Sequence, residues 1–251
     1  MKKRQAQKTK SSTTTPPVVP ITPSPIFIKQ PLVVDVAYNN VSKSGATPIW
    51  SMLKDTVSGV ITKASEGMWI EDETFSRNWY GLLQAKIPRG AYHFYRKFYP
   101  SAWNAKKFVN TINKYGGVKP LDILMLDAEE QNMSVSALLD FTYNVEQLTG
   151  LSHKTNIIWY SWPWMLNSFS FVKLKSSQVE YIREIGILVA GYPNNPNLYP
   201  DPYKAGYTVD TSKYGRIVGW QYADNVIIPN IPGGTDVDWI DAQFLAEWKG
   251  I

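Results

Sequence analysis

Leu121–Glu129 reads LDILMLDAE, an apolar run of β type that leads without a break into two carboxylates. Side chains at i and i+2 of a strand point to one face, about 6–7 Å apart along it. Asp127 and Glu129 therefore share a face at the exit of a buried strand. Two carboxylates so placed suit acid/base work on a glycosidic bond.

Working outward from this strand, β and α signals alternate from Leu32 onward. LVVDVA (32–37) is a first strand, and Thr47 with Pro48 reads as the N-cap and first position of a short helix through Trp50 and Leu53. GVITKAS (59–65) is followed by a helix from about Asp72 with Phe75, Trp79, Leu82 and Leu83 on one face. After GAYHFY (90–95), Ser101 caps a helix in which Ala105, Phe108, Val109 and Ile112 keep helical spacing, and Gly116 ends it. Beyond the 121–127 strand, Ser134 caps a helix with Leu138, Val145 and Leu148 inward, stopped by Gly150. NIIWY (156–160), a broken helical stretch over 163–184, GILVAGY (186–192), RIVGWQY (216–222), TDVDW (235–239) and a helix from Ala242 to Trp248 complete the chain.

Eight strands, the first five each followed by helix, predict right-handed crossovers and a parallel sheet closed into a barrel. An open doubly wound sheet is the alternative, but the Gly-rich phosphate loops GxGxxG and GxxxxGK[ST] are absent from the sequence. In such barrels the chemistry sits at the C-terminal ends of the strands. The sequence puts Asp35, Lys63, Glu66 and His93 there from the first three strands, Asp127 and Glu129 from the fourth, and Tyr160, Trp162, Tyr192, Gln221, Tyr222 and Asp238 from the rest.

Composition narrows the function. The chain has 251 residues, of which 44% are hydrophobic, enough for one domain with a real core. Its net charge of +5 belongs to residues 1–30, whose six bases (Lys2, Lys3, Arg4, Lys8, Lys10, Lys29) leave 20 of 26 bases against 21 acids elsewhere. The body therefore offers no case for nucleic-acid binding. There is no cysteine, hence no disulfide, thiolate metal site or Cys nucleophile, and the two histidines, His93 and His153, are too few and too separate for a zinc site. No apolar run is long enough to span a bilayer. The basic start is not followed by the apolar core of a secretion signal, because Pro16, Pro17, Pro20, Pro23 and Pro25 interrupt it. Residues 1–30 read as a disordered Ser/Thr/Pro-rich tail, and 31–251 as the folded domain.

A DxE at a strand end is weak evidence alone, since such carboxylates often cap the next helix. The apolar strand before Asp127 changes this by desolvating at least one carboxyl and raising its pKa. Asp35 and Asp238 are expected at the same mouth, and a cluster of acids pushes pKa values apart, leaving one group protonated while others ionise.

VVDVAYNN, ITKASEG, GAYHFYR, LMLDAEE, IIWYSW, LVAGY, GWQYADN and TDVDW, in this order over about residues 32–248, resemble the glycoside hydrolase family 25 lysozymes (Chalaropsis-type muramidases), phage endolysins among them. The resemblance implies an irregular TIM-like (β/α)5β3 barrel in a single α/β domain. It also implies cleavage of peptidoglycan at the β-1,4 bond between N-acetylmuramic acid and N-acetylglucosamine, with no metal or organic cofactor. Glu129 resembles the general acid and Asp127 its partner, which stabilises the charged intermediate or orients the 2-acetamido group. Asp35 and Asp238 match the family's other two acids. Retention with acetamido participation is the favoured route. His93, Tyr160, Trp162, Tyr192, Gln221 and Tyr222 are the expected substrate-binding residues. Lys63 and Glu66 are expected to form an ion pair shaping the rim, while Trp69, Trp79 and Trp248 are assigned to packing.

The sequence departs from the family pattern at Ala37, where Ser is frequent, and at Ile240, where Asn is frequent. Either Asp236 or Asp238 could be the acid that faces the site, and Glu130 should point away from Glu129. Two other readings compete. A family 18 chitinase motif, DxxDxDxE, fits Asp122, Asp127 and Glu129 but has Met125 in place of its second Asp. A wall-binding or virion domain without activity is the other. The expected partner is the bacterial glycan strand, met as a monomer, with release from a phage favoured over ordinary secretion.

Overall fold

The structure, a computed structural model, describes residues 31–42, 44–192 and 208–251; the tail assigned to residues 1–30 lies outside them. The described strands are β1 Val33–Val36, β2 Gly59–Glu66, β3 Ile70–Glu71, β4 Arg89–Phe94, β5 Ile123–Asp127, β6 Ile157–Ser161, β7 Gly186–Ala190, β8 Arg216–Val226 and β9 Thr235–Ile240. The helices are α1 Phe75–Ala85, α2 Ser101–Lys114, α3 Val135–Thr149, α4 Pro163–Ser168, α5 Ser176–Arg183 and α6 Ala242–Lys249. β3 pairs only with the end of β2, forming a short antiparallel hairpin. The other eight strands close a ring in the order β1-β2-β4-β5-β6-β7-β8-β9, with β9 returning to β1. Neighbours are parallel from β1 to β8, and β9 runs antiparallel to both of its partners. Five crossovers come first and the last strands follow with no described helix between them, as the (β/α)5β3 reading expects.

The strands form because their runs are β-branched and aliphatic, and they alternate between two environments. One set of side chains, including Ala91, Leu124, Leu126, Trp159 and Ile187, packs outward against α1, α2 and α3. The other set, including Val33, Ile61, Ile123, Met125, Ile158, Leu188 and Val218, fills the barrel interior. α6 closes the N-terminal end of the barrel by adding Phe244, Leu245 and Trp248 to that interior cluster. Each such aliphatic side chain, fully buried, contributes about 1.5–3 kcal/mol. The interior is thus solid and apolar below, and its polar residues gather at the opposite, C-terminal end.

Several local expectations are corrected. The first crossover holds only a 3-10 turn, Trp50–Met52, and Thr47 does not cap it; Ile49 precedes the turn and gives its N–H to the carbonyl of Asn230 at 3.0 Å. α1 starts at Phe75, because Asp72 is held before it: Oδ1 accepts from the Thr74 N–H and hydroxyl, and Oδ2 from the Tyr38 N–H. Ser101 is the first residue of α2 rather than its cap, and its hydroxyl pairs with that of Tyr95 at 2.8 Å. Leu83 and Leu148 are exposed at the edges of narrow buried stripes on α1 and α3. Ser134 does cap α3, accepting from the Ala137 N–H, and Gly150 ends it in the left-handed region at φ 72°.

Candidate active site

A cleft of about 320 Å³ opens at the C-terminal end of the barrel. Asp35 comes to it from β1, Asp127 and Glu129 from the end of β5, and Asp236 from the start of β9. Asp35 and Asp236 are paired neighbours across β1 and β9. Tyr160, Trp162, Tyr192 and Gln221 complete the polar lining, with Tyr92, Phe94 and Met125 beneath and beside them.

Gln221 organises one wall. Its Oε1 accepts from the hydroxyls of Tyr160 (2.7 Å) and Tyr192 (2.5 Å), so its Nε2 must face the other way, where it donates to Asp35 Oδ2 at 2.6 Å. The Trp162 indole N–H donates to Glu129 Oε1 at 2.7 Å, and the Trp162 and Tyr192 rings meet edge to face at 5.4 Å. Asp127 is buried, and among the described residues its Oδ1 has no hydrogen-bond partner.

Electrostatics follow from this crowding. Burial, and then the Glu129 charge, push the Asp127 carboxyl well above the ordinary range, with Lys63 opposing. Burial also raises Glu129, against the hydrogen bond from Trp162. Burial and the charges of Asp236 and Glu129 raise Asp35, opposed by Gln221. Asp236 is raised to about 6 by burial and by Asp224. A cluster whose members cannot all ionise keeps a proton available near neutral pH, as proton donation to a leaving group requires.

Three expected site residues lie elsewhere. His93 is fully buried on the outer face of β4, between Ser65 Oγ at 2.9 Å and Asn104 Oδ1 at 3.0 Å, stacked on Phe141. Strand alternation sends Tyr92 and Phe94 into the barrel and His93 out, and burial lowers its pKa to about 4. Tyr222 packs in the outer cluster with Val34, Val36 and Trp50. On β8 Gln221 pairs with Asp238 and faces inward, so strand alternation carries Tyr222, like Trp220, outward. Asp238 shares the inward face with Asp236 but lies deeper, opposite Val33 and Gln221, with no solvent exposure. Burial and the charges of Asp35 and Asp236 hold its carboxyl well above the usual range. Asp236 therefore lines the cleft where Asp238 was expected.

Other expectations hold or change as follows. Lys63 and Glu66 pair at 2.7 Å, and Glu66 also binds Arg96. Glu130 turns away from Glu129 to Arg96 at 2.8 Å. Trp79 and Trp248 are buried, but Trp69 is 72% exposed and not a packing residue. Asp122, the first acid of the chitinase-type spacing, lies at the start of β5 and is clamped by Arg89 through two bonds of 2.9 Å. That end of the barrel is opposite the cleft, so the row of acids required by that motif is not assembled.

The profile of glycosyl hydrolases family 25 matches residues 34–231. The chain belongs to this family. Solved structures repeat the fold of this family 25 hydrolase at low identity. The catalytic domain of endolysin ply40 from bacteriophage P40 of Listeria monocytogenes has a TM-score of 0.63 at 22% identity, covering 88% of this chain and 97% of its own. The bacterial lysozyme from Streptomyces coelicolor gives 0.65 at 20%, over 87% and 97%. A muramidase from Trichobolus zukalii gives 0.59 at 21%, over 88% and 99%. Among curated protein sequences none is significantly similar. The hydrolase carries no group of three or more metal-ligating side chains among its described residues, and no described helix is long and apolar enough to cross a membrane.

Proposed function

We propose that this family 25 hydrolase is a muramidase that cuts the β-1,4 bond between N-acetylmuramic acid and N-acetylglucosamine in peptidoglycan. The observation that carries the reading is the pairing of Glu129, raised by burial and bonded to Trp162, with the deeper Asp127 in one open cleft. Neighbours described as lysozyme, endolysin and muramidase on the same fold support it.

In this reading Glu129 gives its proton to the bridging oxygen as the C1–O bond breaks. The substrate's acetamido carbonyl oxygen closes on C1 from the other face. Asp127 steadies the positive charge by accepting from the acetamido N–H, a use for its unpartnered Oδ1. Water then opens the ring intermediate, giving its proton back to Glu129 and restoring the original configuration at C1. Asp35 and Asp236 supply negative potential along the cleft wall. Asp238, buried beneath them, acts through Asp35 and Gln221 rather than on the sugar. Tyr160, Trp162, Tyr192 and Gln221 hold the carboxylates and present ring edges and faces to the glycan.

Mass spectrometry of digested peptidoglycan tests the reading. Muramic acid at the new reducing ends, lost in Glu129→Gln, supports it. Glucosamine ends, or wall binding with no new ends, would overturn it. We further propose that the domain acts on the bacterial wall as a monomer.

A further inference from the structure

Beside the cleft lies a second trough of about 330 Å³, lined by Glu66, Gly67, Trp69, Ile70, Arg96, Phe98, Tyr99 and Glu130. Two loops build it. The turn between β2 and β3 carries Trp69, and the loop after β4 carries Phe98 and Tyr99. Gly67 brings them together. It has φ +54°, its N–H bonds the Phe94 carbonyl at 3.0 Å, and a Cβ there would lie 3.0 Å from the Tyr99 ring and 3.1 Å from Arg96 Cγ. Glycine suits both this backbone, which L side chains rarely adopt, and this close approach.

The rim of the trough is apolar and its floor is charged. Trp69 is 72% exposed, Ile70 53% and Phe98 81%. On the floor, Arg96 is fixed by Glu66 and Glu130, and Glu66 is fixed in turn by Lys63. The trough adjoins the catalytic cleft: Phe94 lines the cleft, and the Arg96 guanidinium, on the trough floor, lies over the Phe94 ring at 4.5 Å. Exposed aromatic rings above fixed polar groups match a pyranose, which offers C–H faces to rings and hydroxyl edges to charges. Large apolar side chains clustered at a site mark a binding surface, whereas single scattered ones do not.

From this we infer that the Trp69–Phe98 trough is a distal glycan subsite, which holds sugars of the same strand beyond those in the cleft, with Arg96 facing their carboxylate or hydroxyl groups. The inference rests on the peptidoglycan reading of the cleft.

The test compares the wild type with Trp69→Ala, Phe98→Ala and Trp69→Phe. Two substrates are used: long peptide-free glycan strands, and the shortest oligosaccharide that the wild type cuts. Dissociation constants for the long strands are measured alongside turnover. Removing one ring should raise KM and the dissociation constant on long strands about tenfold. It should leave kcat unchanged and both parameters on the short substrate untouched, and Trp69→Phe should recover most of the loss. Equal values in all variants on long strands, or equal losses on both substrates, would overturn the subsite. Should the wild type release no reducing ends, the muramidase reading fails instead, and the binding constants alone then decide whether the trough holds glycan.

Discussion

Gln221 Nε2 donates to Asp35 Oδ2 at 2.6 Å, across 186 positions of sequence, and its orientation is dictated from behind by two tyrosine hydroxyls. A buried carboxyl crowded by Asp236 and Glu129 has here a donor that favours its charged form. Gln221→Leu would remove that donor and free both hydroxyls. The expected result is a further rise in the Asp35 pKa, a pH–rate profile displaced to higher pH, and kcat lower by about tenfold or more at neutral pH. Tyr160→Phe should do less, because Tyr192 still fixes the amide. An unchanged profile in Gln221→Leu would detach Asp35 from the reaction.

Trp162 bonds the charged form of Glu129 through its indole N–H at 2.7 Å and thereby opposes the rise that burial causes. Trp162→Phe keeps a ring and removes the donor. A hydrogen bond from a donor to the charged form favours that form, so the Glu129 pKa should climb further once it is removed. A general acid works while protonated. The alkaline limb of the rate profile should therefore move to higher pH, with acid-side activity retained. Titrating the variant's kcat against pH checks the sign.

Much of this was legible in the sequence. Apolar runs separated by helical periodicity give the strand count, and the strand-to-carboxylate junction at Leu121–Glu129 locates the cleft. What was lost depends on parity and register. In GAYHFY the eye goes to His93, yet Gly90, Tyr92 and Phe94 are the inward set: a Cβ on Gly90 would lie 3.3 Å from both the Ile123 Cβ and the Ile61 Cγ1 of the barrel interior. In RIVGWQY Gln221 is the inward residue, and the same alternation sends Trp220 and Tyr222 outward. Asp236 and Asp238 share a face, so alternation cannot separate them; depth along β9 does, and depth is a property of the closed barrel. The sequence assigns Trp69 to packing along with Trp79 and Trp248, from presumed helices or loops, and only the approach of two loops across Gly67 shows otherwise.

Asp236 titrates near 6 in the fold against an ordinary 3.8, raised first by burial and next by Asp224. Between these values the unfolded chain loses its proton while the folded one keeps it, so stability falls as pH rises through this window and stays lower above it. Asp236→Asn lifts that penalty. The variant should be more stable than wild type above pH 6, by up to about 3 kcal/mol, and gain little near pH 3.5. Activity should fall, since one wall of the cleft loses its charge. Urea midpoints at the two pH values read the first effect directly, and a gain of equal size at both would contradict the assignment.

At the other end of the barrel, Arg89 and Asp122 form a buried pair with two bonds of 2.9 Å, and the Arg89 Nη1 also donates to the Trp79 carbonyl while its guanidinium lies 3.6 Å from the Trp79 ring. Neither side chain is near the cleft, and their work is to tie β4 to β5 where the strands begin. Breaking a buried pair by removing one partner leaves an uncompensated charge and costs about 3–5 kcal/mol, whereas replacing both with apolar residues of similar volume is often close to neutral. Asp122→Leu should therefore lower the unfolding free energy by several kcal/mol, and Arg89→Met with Asp122→Leu should restore most of it. At a temperature where both variants remain folded, kcat and KM should match wild type. A selective loss of turnover in folded Asp122→Leu would mean that this acid serves the chemistry after all, and would revive the chitinase-type row that the geometry takes apart.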